Sequence, residues 1–445
     1  MKIISFLIFL ILLIVPIFFI GSNDLLIYFD YYSVFVFLFF VYYLAVKDKN
    51  FFIISFYVFF AFITTIIISL LLEHGTYLLE VDEMSYATGV TFKGALTGFL
   101  FISSMYFSFK FFQKTNISVR NLDKGSQALI FNIFRLLVVT ISIVMFFLLL
   151  RFGFPLLMGV HRADYWASYA PSWGGVLAFW LVQLAFPLGY IYAKSRLRKD
   201  LYLFLGLLIV TILAGSRFTG IMQSLVYFLM PILVLSNNFK IYNPKFILSF
   251  GIVFILLLSI VMNSFDASSK QEREANLGLR IALQAQMWWA LDNISTLSPR
   301  PANEIIHSYI GLAKNSNEKS VNYLMYLVAP AKSVLAKTET DSTYTMSGFF
   351  NSYYFFGYIL GGFINLFWGM VFGFLIFLVY LSIASSSNIL MSFFAFKLLV
   401  KVQNILLNGN VDNIFDLSTY LFIFLVLIFL VLSSRGQKKR LVSND

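Results

Sequence analysis

The sequence predicts an all-α polytopic membrane protein, with about twelve transmembrane helices and a large, partly helical outer loop, on three observations. Its 445 residues are 60% hydrophobic and 12% charged, against about 25% charged in an ordinary soluble domain. Apolar runs long enough to cross a hydrocarbon core of roughly 30 Å recur along the whole chain. The Lys and Arg excess behind the formal charge of +11 gathers in alternate short loops, the bias that sets orientation in a membrane.

The expected spans are 3–21, 26–46, 51–72, 89–112, 128–150, 174–193, 201–215, 218–236, 246–263, 354–383, 389–408 and 414–434. The first run has no small-residue cleavage site and reads as a retained span. An even number puts both termini on one side. Basic loops "KDKN" (47–50), "KSRLRK" (194–199) and the tail "RGQKKR" (435–440) mark that side as cytoplasmic. The charge excess is thus explained by topology and calls for no nucleic acid partner. Residues 1–263 then form the first nine spans, 264–350 the large outer loop and 351–445 the last three spans with a cytoplasmic tail. The loop's eight basic and eight acidic residues balance. The chain has no cysteine, which removes disulfides, thiolate catalysis and Cys-ligated metal. Its three histidines are scattered, no metal constellation is legible, and no cofactor is expected.

Six features carry candidate chemistry or packing. In "TILAGSRFTGIMQSLVYFLMP" (211–231), Arg217 lies between Gly215 and Gly220 at an outer turn. A guanidinium fork suits a phosphate or diphosphate, and Ser216 with the next helix N-terminus adds donors. The alternative is an arginine snorkelling to lipid headgroups. The outer loop "RFGFPLLMGVHRADYWASYAPSWGG" (151–175) sets Arg162 and Asp164 beside Trp166 and Tyr169. Aromatic faces next to hydrogen-bonding groups suit sugars, and equally an interfacial aromatic belt.

In the large loop, "EANLGLRIALQAQMWWALDNISTLSPRP" reads as an amphipathic helix with Arg280, Gln284, Trp288 and Asp292 on one face. It would rest on the membrane surface or roof a cavity. "ANEIIHSYIG" places Glu304 and His307 three residues apart. A carboxylate there can orient an imidazole as a base; a solvated helix face reads the same. In 389–408, Lys397, Lys401, Asn404 and Asn408 form a polar stripe at helical spacing, and ionisable groups within a span normally face the protein interior or a wet cavity. Lys93 and Arg135 read as snorkelling groups or interhelical partners. Gly357, Gly361, Asn365, Gly369 and Gly373, four apart, predict close helix packing.

The outer loop "GFPLLMGVHRADYW", the turn "AGSRFTGI", the long outer loop after the ninth span and the glycine-rich "YYFFGYILGGFINLFWGMVFG" together resemble the Wzy-type oligosaccharide repeat unit polymerases, the O-antigen polymerase family. The resemblance implies a GT-C-like integral-membrane glycosyltransferase of the bacterial inner membrane with a periplasmic active face. It implies a donor glycan on undecaprenyl diphosphate, moved en bloc to the non-reducing end of a lipid-linked repeat, membrane lipid around it, and a chain-length co-polymerase as partner. On that reading Arg162, Arg217 and Arg280 meet the diphosphate. His307 with Glu304 is the candidate base, and Trp166, Tyr169 and Trp288 are candidate sugar platforms. An O-antigen ligase would use much the same chemistry. A lipid-linked oligosaccharide flippase would suit the stripe at 397–408, but transporters usually carry two related halves and none is visible.

Overall fold

A computed structural model describes residues 11, 23–115, 117, 122–155, 157–160, 162–216, 218–236, 281–294, 302–339, 348–384 and 388–442. These are mostly helical. In order they form α1 (Asn23–Lys47), α2 (Lys49–Ile54), α3 (Phe56–Leu72), a hairpin of β1 (Tyr77–Leu78) and β2 (Glu83–Met84), α4 (Val90–Gln113), α5 (Lys124–Phe152), α6 (Ser172–Ser195), α7 (Arg198–Leu213) and α8 (Phe218–Leu235). There follow α9 (Gln286–Asn293), α10 (Ala302–Tyr309), α11 (Ser320–Val328), α12 (Ala331–Glu339), α13 (Gly348–Ala384), α14 (Ile389–Asn408) and α15 (Leu417–Val442).

Among the described residues, six helical stretches are long and apolar enough to cross a membrane: Leu26–Lys47, Val90–Gln113, Lys124–Phe152, Ser172–Ser195, Phe349–Ala384 and Ile389–Asn408. Phe56–Leu72, Thr219–Leu235 and Leu417–Val431 are shorter apolar helices. This is the build of an all-α multi-pass membrane protein. Ten of the expected spans fall on helices; 3–21 and 246–263 lie outside the described residues. The run 51–72 is interrupted at Ser55, whose hydroxyl turns back to the Phe51 carbonyl. Polar caps start two helices as their sequences suggest: the carboxylate of Asp48 accepts from Phe51 N–H at 3.1 Å and that of Asp123 from Ser126 N–H at 2.9 Å.

The chain packs as two compact units. One comprises Met1–Asn116, Ala267–Phe377 and Leu398–Ile423; the other Ile117–Asp266, Leu378–Lys397 and Phe424–Asp445. In the first, α1 and α3 pack on α4, and the buried rings of Phe62 and Phe101 both meet Phe349 with centroids 4.5 Å apart. Two members of the glycine repeat perform as expected: a Cβ at Gly369 or Gly373 would collide with the backbone of Phe101 or Met105, so α13 lies directly on α4, whereas Gly361 packs on Ser352 and Tyr353 of its own helix and Gly357 meets nothing within 4 Å. Ser108 Oγ donates to the Met370 carbonyl at 2.7 Å across this contact. The same helix is kinked at Gly357, where φ is +72°, a conformation glycine adopts without steric cost. Met287, Leu291, Tyr309, Leu324, Met325 and Phe355 belong to a second buried cluster, which holds α9, α10 and α11 against the start of α13.

In the second unit α6 is central, packing on α5, α7 and α8. Phe204 stacks on Phe228 at 3.9 Å and Phe186 on Phe396 at 4.1 Å.

The segment 281–294 corrects one expectation. Gln284, Trp288 and Asp292 do not share one amphipathic helix, whether resting on the membrane surface or roofing a cavity: residues 283–285 turn, and a short helix begins at Gln286, while Arg280 lies outside the described residues. Gln286 to Leu291 are all buried. The reason lies in "MWWAL": five consecutive apolar residues leave the middle of this short helix no polar face to turn to water, and the Trp289 N–H is satisfied by the Tyr86 carbonyl at 2.8 Å. Asp292 joins them because Lys93 meets both carboxylate oxygens at 2.8 Å.

Candidate functional site

The outer loop after α5 is organised by its own aromatic residues. α5 stops at Gly153, whose carbonyl accepts from the buried Tyr165 hydroxyl at 2.7 Å. A turn at Arg162–Asp164 leads into a π-helix, Tyr165–Tyr169, a rare form that is frequent at functional sites. Its winding sets the rings of Tyr165 and Tyr169 nearly parallel, 8° apart with centroids at 6.5 Å. Tyr169 remains 52% exposed and offers a face.

This loop meets the turn after α7. Gly215 has φ +83°, and a Cβ there would come within 3.0 Å of Pro155 and 3.6 Å of the Arg162 Cβ. Arg162 Nη1 donates to Ser216 Oγ at 3.3 Å. Arg162 is exposed and Ser216 buried. The loop and the "AGS" turn, 54 residues apart in the chain, therefore form one patch: a guanidinium, a hydroxyl and an open tyrosine face. Such a patch can take an anion and the edge of a sugar. Arg217 itself, like Arg280 and His161, lies outside the described residues.

Two expected sugar platforms are corrected. Trp166 is only 8% exposed because its ring lies over Gly174 and Gly175. Trp288 is 2% exposed; its ring stacks on Phe350 at 4.1 Å and its N–H donates to the Val90 carbonyl at 3.2 Å. Both rings are spent on packing. Their apolar area is large enough that burial outweighs exposure wherever glycine or phenylalanine makes room.

Glu304 and His307 sit on the exposed face of α10, in the first unit. The stripe on α14 does not share one environment. Lys397 is 5% exposed, hydrogen-bonds Gln183 and lies 3.7 Å from the Trp180 ring centroid. Lys401 pairs instead with Asp416 at 2.6 Å, both partly exposed. Asn404 is half-buried and Asn408 exposed. Helical spacing aligned the four along one face, but Asp416, just beyond the end of α14, draws Lys401 to a separate partner.

The structure adds polar residues that the sequence reading passed over. Asp30, fully buried in α1, accepts from Phe92 N–H at 2.9 Å. Glu73 accepts from Thr88 N–H at 2.6 Å, Gly89 N–H at 3.3 Å and Thr91 N–H at 3.2 Å. Two carboxylates thus satisfy the free donors at the N-terminus of α4 and meet its positive dipole end. Burial pushes Glu73 above its ordinary carboxyl pKa, against the pull of those backbone donors. An aspartate inside an apolar span was the available signal for Asp30. Lys93 and Arg135 are interhelical partners, of Asp292 and Asp200. No group of three His, Asp or Glu among the described residues is arranged to hold a metal ion.

Residues 314–423, from the end of the outer loop into α15, match a family of unknown function (DUF6418). No curated protein and no solved structure matches the chain.

Proposed function

We propose that this chain is a Wzy-type oligosaccharide repeat unit polymerase of the bacterial inner membrane, with about twelve spans in a GT-C-like arrangement, cytoplasmic termini and a periplasmic active face. The observation that carries this reading is the contact of Arg162 with Ser216, which joins the "HRADYW" loop to the "AGSR" turn.

In the proposed reaction, an acceptor hydroxyl oxygen attacks the anomeric carbon of a glycan held on undecaprenyl diphosphate. The new C–O bond forms as the anomeric bond to the diphosphate breaks, and that electron pair leaves with the diphosphate. The hydroxyl proton passes to a general base. Arg162 and Arg217 stabilise the negative charge on the departing group, the kind of preorganised electrostatic term that dominates such catalysis. Tyr169 supports a sugar ring. A chain-length co-polymerase is the expected partner.

The test is surface-glycan laddering in a deletion strain carrying the wild-type chain, Arg162→Ala or Arg217→Ala. A polymerase leaves single repeats attached when deleted, regains its ladder with the wild type and fails to with either variant. Long chains stranded on the lipid carrier would mean an O-antigen ligase. Repeats that never reach the outer side would mean a flippase.

A further inference from the structure

We propose that the first unit binds a monovalent cation where the ends of α1 and α3 meet the start of α4, with Asp30 and Thr91 as ligands and Glu73 beside them. The site lies wholly within the first unit and does not depend on the reaction proposed above.

The charges there do not balance. Asp30 is 0% exposed, Glu73 2% and the Asp292 side chain 1%. Lys93 brings one positive charge, and Asp292 takes it through two bonds of 2.8 Å. The charged groups that act most strongly on Asp30 are Glu73, Lys93 and Asp292, so two carboxylates press on it against one ammonium already engaged. What remains for Asp30 and Glu73 is the N-terminus of α4, equivalent to about half a positive charge against two negative ones. An ionised carboxylate without a counter-charge is costly to bury. The cost is highest inside an apolar span, and Asp30 lies about one turn into Leu26–Lys47.

The hydrogen bonds show where a positive charge would sit. Asp30 accepts from Phe92 N–H through Oδ1, while its Oδ2 is buried with no partner. Thr91 gives its N–H to Glu73 Oε1 at 3.2 Å. Its hydroxyl, on a residue with no exposed surface, is likewise unpartnered. So is the buried Oγ1 of Thr88, whose own N–H meets Glu73 Oε2 at 2.6 Å. Three oxygens without partners therefore gather at one helix start, beside a second carboxylate. A proton on Asp30 Oδ2 would make that oxygen a donor with no acceptor. A hard cation is served by oxygens alone, carboxylate and hydroxyl together. A single charge suits the set, because no three acids among the described residues are arranged around a metal ion. The walls are close-packed: a Cβ at Gly89 would lie 3.2 Å from Leu26 Cδ1, which presses the start of α1 on the start of α4. A bound cation would tie α1 and α3 to α4 at this end.

The experiment is equilibrium binding of ²²Na⁺ to the purified full chain in neutral-lipid nanodiscs at about pH 8.5, paired with thermal unfolding at constant ionic strength made up with choline chloride. One ²²Na⁺ per chain is expected, displaced by NaCl and not by choline chloride. The unfolding temperature should rise by about 2 °C for each tenfold increase in sodium above the dissociation constant. Asp30→Asn, which keeps the shape and removes the charge, should weaken binding by at least about tenfold. Thr91→Val should weaken it in the same direction, and serves if the first variant does not fold. No displaceable ²²Na⁺, or binding undiminished in both variants, would overturn the proposal. So would an unfolding temperature that follows pH and ignores sodium, since the carboxylates would then be covered by a proton.

Discussion

At the start of α7, Asp200 takes the guanidinium of Arg135 through two bonds of 2.6 and 3.0 Å; just past the end of the same helix, Ser216 meets Arg162 with a neutral hydroxyl at 3.3 Å. The first arginine has its charge matched and its fork occupied, and Asn132 Oδ1 takes a further bond at 2.9 Å. The second keeps its charge and stands exposed. In one unit the same residue type therefore serves two ends: a closed pair that holds two helices together, and an open cation positioned by a hydroxyl at the helix ends. On the proposed reading, a charge that is to meet a ligand is held by a neutral neighbour, since a carboxylate there would compete with an anionic substrate.

Breaking each arginine's contact should separate the two roles. The largest effect is expected from Asp200→Ala, which leaves Arg135 desolvated without its counter-ion. Loss of one member of a buried pair costs about 3–5 kcal/mol, visible as a large drop in thermal unfolding temperature in detergent. Arg162→Ala should leave unfolding within about 0.5 kcal/mol of the wild type, as expected of an exposed side chain. On the polymerase reading proposed above, glycan polymerisation should fall by about 10²–10³-fold, the size of one lost electrostatic contact to developing charge. Equal destabilisation by the two variants would erase the distinction.

Unit one offers an intermediate case. Lys93 is 33% exposed while its partner Asp292 is 1% exposed, and Tyr358 also donates to that carboxylate at 3.2 Å. Lys93→Ala should cost about 1–3 kcal/mol, less than a fully buried pair because water screens the lysine. A double-variant cycle with Asp292→Asn measures the coupling.

The smallest effect concerns Glu73. Its folded pKa is raised above 4.5 by burial. The folded chain then holds a proton that the unfolded chain has released, so stability is greatest below 4.5 and declines as pH rises through the folded value. Glu73→Gln should flatten that decline in unfolding temperature against pH. A curve parallel to the wild type would place the titration elsewhere.

The expected helices were legible because hydropathy is a local property. A run such as "LIFNIFRLLVVTISIVMFFLLL" within α5 becomes a helix wherever it is placed, since an unsatisfied backbone in hydrocarbon costs several kcal/mol per group. The glycine repeat of α13 was legible for a similar reason: small residues at one spacing make a flat face whatever packs on it. The site was less so. Trp166, Tyr169 and Trp288 are alike as letters, and only the neighbours at Gly174, Tyr165 and Phe350 decided that two rings are buried and one is open. Lys397 and Lys401 shared a stripe in the sequence and parted over Gln183 and Asp416.

By itself, then, the sequence determined that the chain is a membrane protein of helices and where most of those helices run, and it left Lys93 and Arg135 as snorkelling groups or interhelical partners. Tertiary structure alone decided that those partners are Asp292 and Asp200, 199 and 65 residues away, and that the 153–171 loop folds onto the 214–216 turn. The physical reason is range. Helix formation and transfer to hydrocarbon are summed over neighbours along the chain. The choice of counter-ion, and of which arginine stays open, is made between side chains brought together only when the helices have packed.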